Sequence, residues 1–136
     1  MSTAPALTLT ILAVLATQPV VAANYDGSQP FRCAPVNIVG CGADGQCGKE
    51  TTDSVDLPRV LKFDFAQKEI TGKRPNGDAL TATIDQIQHI EDRLILQGVE
   101  SGTMWGVMVA ENSGDMTMTV GGEKVGFVGF GACSPE

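Results

Sequence analysis

Along much of residues 60–132, apolar and polar side chains exchange places at every second position, and Gly, Asn, Asp and Pro cut the run at short intervals. A period of two is the signature of strands with one buried and one wet face, and no segment shows the 3.6 period of an amphipathic helix. Leu61, Phe63 and Phe65 share one face against Lys62 and Asp64. Trp105, Val107 and Val109 alternate with Met104, Gly106 and Met108, and Met116, Met118 and Val120 alternate with Thr117 and Thr119. Turn chemistry falls between these runs: Pro75, Asn76 and Gly77; Glu91 and Asp92; Ser113 and Gly114; and Gly121 and Gly122, which suit a primed hairpin. Residues 79–91 alternate through Leu80, Ala82 and Ile84 and then switch parity at Ile87, which predicts a bulge near Asp85 and Gln86. Leu94, Ile95 and Leu96 make residues 93–99 read as a central strand.

The expected fold is all-β: an antiparallel meander of about seven strands, curled into a small barrel or a strongly twisted sheet and stapled by disulfides. Residues 23–58 read as an irregular, disulfide-bearing lead-in. Gly27, Pro30 and Pro35 discourage regular structure there, residues 36–52 read as a stapled loop, and residues 51–58 leave room for a single helical turn. Residues 59–136 form the meander, in one domain with the lead-in.

All four cysteines, Cys33, Cys41, Cys47 and Cys133, lie in these two segments. An even count in a small exported domain reads as a disulfide framework, for which three pairings are possible. The glycines around Asp44 favour Cys41 with Cys47, and Cys33 with Cys133 would then tie the beginning of the domain to its end as the fastening of the barrel seam. No Cys-x-x-Cys pair supports a zinc or redox site. His89 is the only histidine, which excludes a multi-histidine metal site, and no Gly-x-Ser-x-Gly elbow accompanies it.

Residues 1–22 contain no Asp, Glu, Lys or Arg, and the apolar run ending in Val20, Val21, Ala22 and Ala23 reads as a signal peptide cleaved after residue 22 or 23. A periplasmic or secreted product, with no membrane association after cleavage, is the expectation. The net charge of −7 therefore belongs to the mature part. A field of that sign repels nucleic acid and anionic lipid, and it favours a cationic protein or peptide as partner.

The strand at Gly98 and Val99, the Trp105 strand, the turn at Ser113 and Gly114, and the ending Phe130, Gly131, Ala132 and Cys133 resemble the layout of a family of small, uncharacterised exported bacterial proteins. The resemblance spans the mature chain and brings no functional motif with it. Periplasmic lysozyme inhibitors are likewise small disulfide-bearing barrels, but their serine- and glycine-rich inhibitory loop has no counterpart here, so that likeness is one of architecture.

The functional expectation is a non-enzymatic binding or inhibitor module without cofactor or metal, working through the stapled loop that presents Asp44 and Gln46, or through the barrel mouth. An alternative is a carrier of a small apolar ligand, held in a barrel interior near Trp105 and Met108. A further alternative is a hydrolase with any two of the turn and strand-end carboxylates Asp85, Glu91, Asp92, Glu100, Glu111 and Asp115 facing one cleft.

Overall fold

The computed structural model of the chain describes Met1 and residues 23–136; the expected signal peptide, apart from Met1, lies outside the described residues. Among the described residues there is no helix, and ten strands form: β1 (Phe31–Gly42), β2 (Cys47–Glu50), β3 (Leu61–Asp64), β4 (Glu69–Lys73), β5 (Ala79–Thr83), β6 (Gln86–Ile90), β7 (Arg93–Glu100), β8 (Thr103–Ala110), β9 (Asp115–Gly121) and β10 (Val125–Pro135). Nine of them lie side by side in the order β5-β4-β3-β1-β10-β9-β8-β7-β6, and β2 pairs with β1 off this path. Every pairing is antiparallel, and the sheet curls into a half-barrel.

The largest departure from the sequence reading is at the beginning of the domain. Residues 31–42 are not an irregular lead-in but the longest strand, which occupies the middle of the sheet between β3 and β10. Pro35 is accommodated because the register between β1 and β10 shifts between Pro35 and Asn37, leaving Val36 as an extra, exposed residue. At a bulge the amide hydrogen that proline lacks is not needed by the ladder. Residues 51–58 form successive turns, one closed by the helix-type bond from Val55 N–H to Thr51 O at 3.2 Å, with Leu57 N–H donating to Thr52 O at 2.8 Å.

The parity switch after Ile84 marks a change of partner. β5 pairs with β4 and β6 with β7, so residues 79–90 run from one end of the sheet path to the other. At the handover the Ile84 amide donates to Lys68 O (2.8 Å) and the Asp85 amide to Gln97 O (2.9 Å). The Asp85 carboxylate also accepts from Val99 N–H at 3.1 Å. β7 is accordingly next to the last strand of the path, and its buried residues are confined to one face, Leu94, Leu96 and Gly98.

Cys33 is bonded to Cys133, and Cys41 to Cys47. Cys33 and Cys133 sit directly opposite each other on β1 and β10, so this bond joins two central neighbours rather than fastening a seam. Two disulfides are consistent with an oxidising environment.

One end of the half-barrel is filled. Tyr25 meets Phe31 edge-on at 5.5 Å, and Phe31 lies 5.3 Å from Phe63 and 5.2 Å from Phe65. Phe31, Phe63, Leu94, Leu96 and Val109 are fully buried, and each such side chain contributes about 1.5–3 kcal/mol by leaving water. The last residue, Glu136, takes Lys62 of β3 (2.8 Å) and Arg32 of β1 (3.3 Å) as ion partners. The hydrogen bond from Lys62 is the main cause holding its carboxyl below the usual range.

Candidate ligand-binding site

The opposite end is open. It is ringed by residues 51–58 and the β4–β5, β7–β8 and β9–β10 turns. Inside this ring lies a hollow of about 420 Å³, a volume within the span of small-molecule pockets.

The walls follow from strand parity. Leu61 and Ile70 of β3 and β4, with Leu80 and Ala82 of β5, form one side; Trp105 and Val107 of β8, Met118 and Val120 of β9, and Phe127 of β10 form the other. Val55 and Leu57 reach it from residues 51–58.

Three charged residues line the hollow: Asp56, Arg74 and Glu100. Arg74 is committed to Asp56, its Nη1 donating to the backbone oxygen at 2.7 Å and lying 3.4 Å from Oδ2. Glu100 and Asp56 are thus two carboxylates on one hollow, and Asp56 is held by the Arg74 guanidinium.

Trp105 stands opposite Gly98 of β7, and the glycine is a packing necessity. A Cβ there would come within 2.4 Å of the indole Cζ2 and 2.6 Å of Thr83 O. The indole Nε1–H is buried and has no hydrogen-bond partner among the described residues. An orphaned donor of this kind costs about 1–3 kcal/mol, so packing and not hydrogen bonding holds the ring.

The residues singled out from sequence do not converge. Trp105 lines the hollow, whereas Met108 lies on the outer face of the same strand, 38% exposed and opposite Ile95 and Thr117. Asp44 and Gln46 are exposed at the tip of the β1–β2 hairpin. Asp44 Oδ1 accepts the Gln46 amide at 3.1 Å, which turns that oxygen into its own loop. The tip is tied down by Ala43 N–H donating to Lys124 O at 3.0 Å. Gln46 borders a separate, more open depression with Cys41, Cys47 and Val55. The primed turn expected at Gly121 and Gly122 is absent: Gly121 ends β9, and Gly122 N–H bonds Val125 O around Glu123 and Lys124. Primed geometry occurs instead at Glu91 and Asp92, and at Ser101 and Gly102, all four at positive φ. His89 is exposed beside Glu111, its Nδ1 2.7 Å from Oε1, away from the open mouth.

Arg74 and Val55 were missed at the sequence level because their approach to the hollow depends on how two distant loops meet. Leu80, Val120 and Phe127 were discoverable from parity alone.

Fold and site together define a small, disulfide-linked antiparallel half-barrel with an open apolar mouth. A scan against protein-family models, a search of curated proteins and a search of solved structures each match nothing.

Proposed function

We propose that the protein is a non-enzymatic binding protein that takes a small, largely apolar ligand into the mouth of its half-barrel, and that it works outside the cytoplasm, in the periplasm or as a secreted protein. The observation that carries this reading is the hollow of about 420 Å³, walled by inward apolar side chains and open at one end. Water in an open hollow of this kind lies against apolar walls, and an apolar guest that displaces it gains free energy by taking both apolar surfaces out of water. The compartment is argued from the two disulfides and the apolar leader.

The test is thermal unfolding and Trp105 emission in the presence of neutral apolar molecules such as decanol. Binding to the folded state alone raises the midpoint with ligand concentration, and it shifts the emission of the single tryptophan in the wall. An unchanged midpoint and emission across such a panel would overturn the reading.

A further inference from the structure

We infer that the ligand of this hollow is an apolar molecule carrying one protonated amine, with the ammonium seated at Glu100; the inference rests on the binding reading above. Along β7 the buried, inward positions are Leu94, Leu96 and Gly98, and the same alternation brings Glu100 to the inner face at the rim. A carboxylate on the side of a strand that is otherwise apolar is a feature in search of a counter-charge. Glu100 is half-buried and lines the hollow. Its one side-chain hydrogen bond among the described residues is donated by the Ser101 hydroxyl at 3.4 Å, and no described cation lies within ion-pair range of it.

The other two charged residues that line the hollow are paired with each other, since Arg74 holds Asp56. Within the lining, the unpaired charge presented to a guest is therefore that of Glu100. An anionic head would meet an unneutralised carboxylate and a guanidinium already in use. An ammonium would meet the carboxylate. Glu100 pairs with Thr103, and one inward position deeper Gly98 pairs with Trp105, so the first aromatic ring below the carboxylate is an indole, the ring that attracts cations most strongly. The overall charge of −7 draws the same class of ligand from solution.

The experiment compares decylammonium, decanol and decanoate, three guests of equal chain length, by calorimetry and Trp105 emission on the mature protein. The variants are Glu100→Gln and Asp92→Asn, the latter removing one carboxylate at the filled end of the barrel. The expected result is decylammonium binding roughly ten-fold or more tighter than decanol, as a charge-assisted contact requires, with decanoate weakest. Glu100→Gln brings decylammonium down to the level of decanol and leaves decanol unchanged, while Asp92→Asn alters neither. Equal binding of amine and alcohol, or an amine preference that survives Glu100→Gln or is lost equally in Asp92→Asn, would overturn the inference and leave the apolar binding reading standing. No binding of any of the three would overturn both.

Discussion

Gly98 and Trp105 face each other across β7 and β8 so closely that a Cβ on the glycine would fall 2.4 Å from the indole. Gly98→Ala forces the ring to move or the strands to part. The expected loss is about 1–3 kcal/mol, the scale of overpacking in a filled interior. Urea unfolding measures it, and Trp105 emission in the folded variant should differ from wild type; a variant with unchanged stability and spectrum would show that the ring is not confined by this glycine.

The two disulfides should differ in weight. Cys33 and Cys133 are separated by 100 residues and Cys41 and Cys47 by 6. Loop-closure entropy assigns about 4.7 kcal/mol to the first and about 2 kcal/mol to the second. Replacing Cys41 and Cys47 by alanine should leave a folded protein with a modestly lower urea midpoint. The same change at Cys33 and Cys133 should remove a large part of a domain's usual stability of about 5–15 kcal/mol. The reverse order would contradict this assignment.

The β6–β7 turn is made by Glu91 and Asp92 at φ 49° and 60°. Asn followed by Gly adopts this primed geometry with little strain. The pair Glu91→Asn with Asp92→Gly relieves the strain of side chains in the left-handed region and should stabilise the protein by about 1 kcal/mol, read as a higher urea midpoint at unchanged slope. A lower midpoint would count against the turn geometry.

Acid sensitivity should be carried partly by Glu136. Its folded-state carboxyl is held below the ordinary 4.5 by Lys62 and Arg32. A carboxyl depressed in the folded state adds stability above its unfolded pKa, and that stability is lost as pH falls through the folded value. Wild type should therefore lose more stability than Glu136→Gln on acidification through and below pH 4.5. Identical pH profiles for the two proteins would show that the ion contacts with Lys62 and Arg32 add nothing.

The all-β class was legible because alternation at Leu61 and Phe63, at Trp105 and Val107, and at Met116 and Met118 is local information and their inward faces follow from it. β1 was not legible. Its proline and glycines oppose a strand locally, and only the pairing with β10, a hundred residues away at Cys33 and Cys133, overrides them. Pairing also decided the run from Ala79 to Ile90, where the parity break at Ile84 could be seen but the two partners could not. The candidate site divides the same way. Trp105 could be placed in a wall from its strand, and Met108 could have been excluded from the same strand by counting. The attachment of Arg74 to Asp56, which leaves Glu100 alone at the rim, joins residues 18 positions apart in two loops and has no local signal.

The central position of β1 also orders events in time. Most of its length has β10 as a neighbour, and β10 is the last strand to appear in the chain. Pairing across such a separation must overcome the entropy of closing a long loop before any contact rewards it. The hairpins from β3 to β5 and from β6 to β9 are built from neighbours in sequence and can form early, whereas the strand that unites them waits for its partner. Completion of the sheet is thus a late, slow step, and a chain held up before it exposes the open flank of β1 to any other strand that arrives first.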